Sequence, residues 1–247
     1  MTVTKNAPRT ARERARVELT REIKEGARRQ LAATGADGIS LRAVARELGM
    51  ASSALYRYYP SRDDLLTALI IDAYDAIGEA AEQAIADRGP AEAFARDRWL
   101  AACHAIRDWA LAHPHEYALI YGSPVPGYRA PEATIGPAAR VPLAFAGVLA
   151  DATEAGEVAG AVGAHAGPGA AADAMNAALA AQAAGLATAL ASPVAPDVLV
   201  RAVIAWTQLF GMISWELFGQ FVGSFEPADG LFAHAVAQLA TFVGLEL

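Results

Sequence analysis

The sequence predicts an all-α chain, and three observations carry that prediction. No stretch keeps the strict apolar/polar alternation of a half-buried strand. Apolar residues instead recur at helical spacing through nearly every segment, and Gly or Pro stands at most of the joints between segments. The 247 residues suffice for a small head and a larger body.

The elements follow in order. Leu19, Ile23, Ala27 and Leu31 fall at steps of four, so a long first helix is expected over Ala11 to Thr34, ended by Gly35 and Gly38. Ser40 is an N-cap, after which Leu41, Val44, Ala45 and Leu48 repeat as one face of a short helix. Gly49 accepts the left-handed backbone of a sharp exit, Ser52 caps a second short helix of about two turns, and Pro60 stops it. Ser61 with Asp64 resembles a capping box that opens a long helix to about Asp87, which Gly89-Pro90 breaks. A fifth helix is expected from Ala91 to about Ala112 and a short sixth after Pro114. The turn-rich run from Gly122 to Pro131 should be an ordered loop. Helix resumes near Pro137 to about Thr153, and Ala155 to Gly169 reads as a mobile connection. An Ala-rich helix over Ala170 to Leu190 leads to two apolar ones, Asp197 to about Val222 and Pro227 to about Gly244.

Charge divides the chain. Residues 1–60 hold twelve Lys/Arg against six Asp/Glu, a net of +6, while residues 61–247 hold eight against twenty-one, a net of −13. A cationic head on an anionic body predicts that only the head approaches phosphates. The expected organisation is a cationic head over 1–60, with a basic arm over 1–16, and a helical bundle over 61–247. A single cysteine, Cys103, rules out an internal disulfide. No secretory signal is visible, and the apolar run from Ala202 to Trp215 is too short to span a bilayer, so a cytoplasmic protein with no membrane partner is expected.

Two short helices joined by a tight turn, the second presenting small, hydroxyl, aromatic and cationic groups, match the way proteins read a DNA major groove. A helical hairpin that merely packs has the same periodicity but no need for those outward groups. Ser52, Ser53, Tyr56 and Arg57 are the base-facing candidates, and Arg57 alone among them can bind guanine in bidentate fashion. Ser40, Arg42, Tyr58, Ser61 and Arg62, near helix starts, are the phosphate candidates.

Residues 1–87 resemble the DNA-binding head of the TetR-type regulator family. The resemblance rests on Gly38-Ile39-Ser40-Leu41-Arg42-Ala43-Val44-Ala45 and on Gly49-Met50-Ala51-Ser52-Ser53-Ala54-Leu55-Tyr56-Arg57-Tyr58-Tyr59-Pro60, continuing to Leu66. Tyr58 and Tyr59 stand where the family usually carries His and Phe, which bears on the operator sequence. In the body, Tyr121-Gly122-Ser123-Pro124-Val125-Pro126-Gly127-Tyr128, Trp206-Thr207-Gln208-Leu209-Phe210-Gly211 and Trp215-Glu216-Leu217-Phe218-Gly219 are similar to a subgroup marked by a Trp and Gly signature. The resemblance implies an all-helical homodimer whose heads bind double-stranded DNA at a palindromic operator and whose bundle holds a small-molecule effector.

In the body, Trp99, Trp109, Tyr117, Tyr121, Tyr128, Phe145 and Trp206 are large amphipathic side chains among many alanines, a mixture that leaves cavities. With Cys103, Ile106 and Met175 they are the expected pocket, suited to an apolar or aromatic ligand. Leu209, Phe210, Ile213, Leu217 and Phe221, with Leu231, Phe232, Val236 and Leu239, offer apolar surface for an isologous interface; a fully internal core is the alternative.

No cofactor or metal is expected. His113, His115 and Glu116 alternate at a helix start and do not converge, and Cys103 and His104 diverge on a helix. Gly160, Gly163 and Gly167 lack the strand and helix context of a phosphate loop. The expected function is therefore non-enzymatic: a one-component regulator, by default a repressor released when a ligand pushes the fifth and sixth helices and tilts the fourth. The rival readings are a small-molecule-processing enzyme with a borrowed head and a ligand-independent DNA-binding dimer.

Overall fold

The computed structural model describes residues 10–89, 94–158 and 175–245. Among them ten α-helices follow one another with two 3-10 turns, Ala36–Gly38 and Glu132–Thr134, and no strand; an isolated antiparallel bridge joins Val158 to Leu245. The helices are α1 Ala11–Thr34, α2 Leu41–Glu47, α3 Ser52–Leu55, α4 Arg62–Ala86, α5 Ala95–Ala112, α6 Pro114–Tyr121, α7 Ile135–Glu154, α8 Ala177–Ala189, α9 Pro196–Leu217 and α10 Asp229–Phe242. α5 begins at Ala95 and α8 at Ala177, where the Asn176 side chain caps it, later than the expected Ala91 and Ala170; the glycines 160, 163 and 167, most of the connection from Ala155 to Gly169 and the arm residues before Thr10 lie outside the described residues.

Local chemistry sets the boundaries. Thr10 caps α1 in a reciprocal box with Glu13, each side chain meeting the other residue's backbone N–H. Two helices, α3 and α9, end earlier than expected. α3 makes one turn, not two, because the chain tightens directly after Leu55: the Arg57 and Tyr58 N–H groups make i→i+3 bonds to the Ala54 and Leu55 carbonyls at 3.3 and 2.8 Å, and Pro60 ends the winding after Tyr59. α9 stops at Leu217 and does not reach Val222, where Gly219 at φ +76° turns the chain left-handed. α7 continues through an internal Pro142, which leaves the Ala138 carbonyl without its helical N–H.

The chain forms two compact units. The first is Met1–Ala73 with His115–Ile135, so it takes in more than residues 1–60. Its core joins Ile23, Ala27 and Leu31 of α1 to Val44 and Ala45 of α2, Leu55 of α3 and Leu65, Leu66 and Leu69 of α4. Leu119, Val125 and Tyr128 pack on that core from the later segment. Asp72 receives Lys24 Nζ and Arg28 Nη2, both at 2.7 Å, while Arg28 Nε donates to Glu116 at 2.8 Å. Tyr128 Oη lies 2.9 Å from Thr67 Oγ1. These polar ties explain why α6 and the Gly122 to Pro131 loop belong to this unit.

The second unit is Tyr74–Pro114 with Gly136–Leu247. Trp99, Cys103 and Ile106 of α5 are buried with Val141, Phe145 and Leu149 of α7, Leu209 and Ile213 of α9, and Phe232 and Val236 of α10. Arg107, 6% exposed, pairs in bidentate fashion with Glu216 at 2.6 and 2.7 Å, reaches Asp229 at 3.1 Å and lies 4.9 Å over the Phe232 ring. It thereby ties α5 to the end of α9 and the start of α10. The segments 132–154 and 196–217 are long and apolar enough to cross a membrane by length and composition alone. In this chain each turns one face into the core just described.

Candidate nucleic-acid interface and ligand cavity

The turn between α2 and α3 is built as the local sequence dictates. Ser40 Oγ accepts the Ala43 N–H at 3.4 Å to start α2. Gly49 takes φ +65°, and the Met50 N–H returns to the Ala45 carbonyl at 2.8 Å to close the exit. Ala51, not Ser52, is the N-cap of α3 and makes no side-chain cap bond, so Ser52 is the first helical residue and keeps its hydroxyl free. Val44, Ala45 and Leu55 are fully buried between the two helices and α1, holding the turn rigid.

Of the base-facing candidates, Ser53, Tyr56 and Arg57 are exposed and Ser52 is half-buried. The phosphate candidates fall into two groups. Arg42 is exposed with no carboxylate partner among the described residues, and Tyr58 is half-buried with the Arg16 guanidinium 5.8 Å above its ring. Ser40, Ser61 and Arg62 have internal work. The Ser61 hydroxyl accepts the Asp64 N–H at 3.1 Å and donates to the Asp64 carboxylate at 2.7 Å, which caps α4. Arg62 Nη2 donates to the Ala36 carbonyl at 2.8 Å, with Asp37 and Asp63 at 3.8 Å. Burial, chiefly, pushes the Tyr59 phenol above its ordinary value.

The expected pocket residues are divided between the two units. Tyr117, Tyr121 and Tyr128 are in the first unit, Tyr117 fully buried with its ring 5.2 Å from that of Tyr121. In the second unit a cavity of about 310 Å³ is lined by α7, the end of α8 and α9. Phe145 and Trp206 line it, with Leu143, Leu149, Leu199 and Val203 among their neighbours. Trp99 stands behind Phe145 at 4.5 Å between ring centroids and is 2% exposed. Cys103 and Ile106 are sealed in the core, and burial pushes the Cys103 thiol up, leaving it unreactive. Trp109 stacks on His113, and Met175 is half-buried at the edge of the described residues. The sequence reading missed Leu186 and Leu190, whose i, i+4 spacing in an Ala-rich helix was the available signal. Among the described residues no charged side chain lines the cavity.

The proposed interface residues divide as well. Leu209, Phe210, Ile213, Phe232 and Val236 are buried within the chain itself, while Leu217, Phe221, Leu231 and Leu239 are half-buried. The opposite face of α9 is the exposed one: Ile204, Gln208, Gly211, Trp215 and Phe218 recur at steps of three and four, with Val222 and Phe225 beyond. Among the described residues no group of His, Cys, Asp and Glu is placed to hold a metal ion.

Residues 23–69 match the sequence family described as bacterial regulatory proteins, tetR family, and residues 99–239 match one described as Tetracyclin repressor-like, C-terminal domain. The chain is 36% identical over 230 residues to the HTH-type transcriptional regulator Rv1816 of Mycobacterium tuberculosis, covering 93% of each chain. The same values hold for the HTH-type transcriptional regulator Mb1846 of Mycobacterium bovis. Its fold aligns with the crystal structure of the regulatory protein SCO4313 at TM-score 0.72 and 35% identity, covering 94% of this chain and 100% of that one. A TetR family transcription regulator from Marinobacter aquaeolei VT8 shares the fold at TM-score 0.57 and 16% identity, covering 92% and 97%. With the helix-turn-helix in its first unit and the helical second unit both matched, this chain belongs to the TetR family of transcriptional regulators.

Proposed function

We propose that this regulator is a cytoplasmic homodimeric repressor that holds a palindromic operator with two reading turns and lets go when a small, uncharged, apolar molecule fills the cavity of its second unit. The observation that supports the reading is the division of chemistry between the units: exposed cations and hydroxyls without partners among the described residues at the turn, and in the second unit an apolar cavity whose described wall residues carry no charge. A charged effector would lose its hydration there without a partner, at several kcal/mol, so the effector is neutral. One turn offers Ser52, Ser53, Tyr56 and Arg57, too few groups to specify a site alone. Two linked turns multiply their affinities through effective concentration. The exposed apolar stripe of α9 from Ile204 to Phe218 supplies the surface that a second copy would bury, in place of the neighbouring residues that the chain buries itself. A ligand that disfavours the DNA-bound arrangement must in turn bind less well to the DNA complex, by the same factor.

The test is selection of bound duplexes from a random pool with the full chain, with sedimentation of the free protein and a compound screen for release. The expected results are a palindrome, a dimer and release by neutral apolar compounds. A selected site without two-fold symmetry, or a monomer on DNA, would refute the paired reading; release only by charged compounds would refute the effector class.

A further inference from the structure

We infer that Arg140 is the residue that couples the cavity to α4, and through that continuous helix to the reading turn that precedes it in the chain. This rests on the effector reading above and adds the route by which occupancy is felt. α7 supplies Ala139, Pro142, Leu143, Phe145, Ala146 and Leu149 to the cavity wall. At 100° per residue Arg140 sits roughly 160° around the helix from Pro142 and roughly 120° from Ala146, so it leaves α7 on the side away from the cavity.

There it grips α4. Its Nε and Nη2 donate to the two carboxylate oxygens of Glu82 at 2.9 and 2.6 Å. Its Nη1 donates to the backbone carbonyl of Asp75 at 2.8 Å and to that residue's carboxylate at 3.0 Å. Four of the five guanidinium N–H donors are thus spent on one neighbouring helix, a fork that a lysine cannot reproduce. Gly78 makes the grip close. A Cβ there would stand 2.7 Å from Arg140 Cβ, an atom that cannot swing aside without moving α7.

Pro142 supplies the give. It lacks the N–H that would bond the Ala138 carbonyl, so α7 is least stiff in the turn that carries Arg140 and faces the cavity. Filling the cavity pushes α7 at that turn, and the guanidinium fork transmits the push to Asp75 and Glu82. The expectation that the fifth and sixth helices carry the push is replaced by a route through α7. Arg140 touches neither the cavity contents nor DNA, so it is a positioning residue.

The experiment uses full-length protein, the operator duplex obtained by selection, and N-phenyl-1-naphthylamine as a neutral fluorescent probe of the cavity. In the wild type, saturating probe should weaken DNA binding at least about fivefold, and Ala146→Phe, which fills the cavity, should abolish probe binding. Arg140→Met should keep probe affinity near the wild-type value yet lose most of that coupling. Glu82→Gln, which breaks the same fork from α4, should lose it in parallel. Hydrogen exchange of residues 75–86 should respond to the probe in the wild type and not in Arg140→Met, a readout that a merely stabilising arginine would not move. Equal coupling in Arg140→Met and wild type would overturn the role of Arg140 and leave the cavity reading standing. Probe binding indifferent to Ala146→Phe would overturn the cavity reading, and probe occupancy that leaves wild-type DNA affinity unchanged would overturn both.

Discussion

The cations of the first unit are of two kinds, and the salt dependence of DNA binding should tell them apart. Arg21, Lys24, Arg28 and Arg29 are held by carboxylates of the same chain: Glu18 and Glu25, Asp72, Asp72 with Glu116, and Glu47. Arg12, Arg14, Arg16, Arg42, Arg46 and Arg57 have no carboxylate partner among the described residues. Each phosphate neutralised releases condensed counterions and adds about 0.9 to the slope of log affinity against log salt. Arg42→Ala removes one such contact from each head of a dimer, so the slope should become shallower by about 1.8. Over a fourfold change in salt that is a factor of about 12: the variant's penalty at 50 mM KCl should be about 12 times its penalty at 200 mM.

Arg29→Ala is the control. It deletes the same charge from the same unit, but one that Glu47 already meets, so the slope should stay within about half a unit of the wild type. Fluorescence anisotropy on the selected operator and on a random duplex, from 50 to 300 mM KCl, measures both. If the two variants flatten the slope equally, or Arg42→Ala leaves it untouched, the division into committed and free cations does not govern DNA binding.

Arg57→Ala should cost about 1–3 kcal/mol of discrimination at one base position while leaving random-duplex affinity nearly intact, read by competition with base-swapped operators. Arg107→Met should destabilise the second unit by about 3 kcal/mol, because it strands Glu216, whose side chain is 17% exposed; calorimetry should show Tm lower by about 6–12 °C. The Arg140 hydrogen bond holds the Glu82 carboxyl below its ordinary 4.5, so the clamp is intact above that value and is lost as pH falls through the lower folded value. Carboxyl NMR should show Glu82 titrating below 4.5 in the wild type and closer to it in Arg140→Met.

What was legible in the sequence was local. The Ser40 cap, the turn at Gly49, the stop at Pro60 and the Ser61 box each follow from one or two side chains acting on nearby backbone, and each appears in the structure. Periodicity fixed the inward faces of α1, α2 and α4 for the same reason. The cavity was not legible, because it depends on which helices become neighbours. Tyr117, Tyr121 and Tyr128 were expected at the pocket from composition; the Arg28–Glu116 pair and the Tyr128–Thr67 bond, both between residues far apart in sequence, tie their segment to the first unit, a grouping that composition does not encode. Likewise α9 is apolar nearly all round, so its pattern alone did not say that Leu209 and Ile213 face inward and Ile204 and Trp215 outward.

The same arithmetic of charge explains why the contact with DNA can be confined to a small surface. A head of +6 would bind phosphates broadly if all its cations were free. Four of them are instead consumed in holding α1 to α2, α4 and α6 or in bracing α1 itself, and at the turn Arg42 and Arg46 are left exposed beside Arg57, one of the groups proposed to face bases. The remaining residues carry a net −13, which disfavours phosphate contact outside the head. On the proposed reading non-specific affinity is thereby lowered, and the free cations that remain among the described residues are those at the turn and Arg12, Arg14 and Arg16 at the start of α1. A modest coupling at Arg140 would then suffice, on that same reading, to release the operator, because the free energy to be overcome would be concentrated in a few contacts per head.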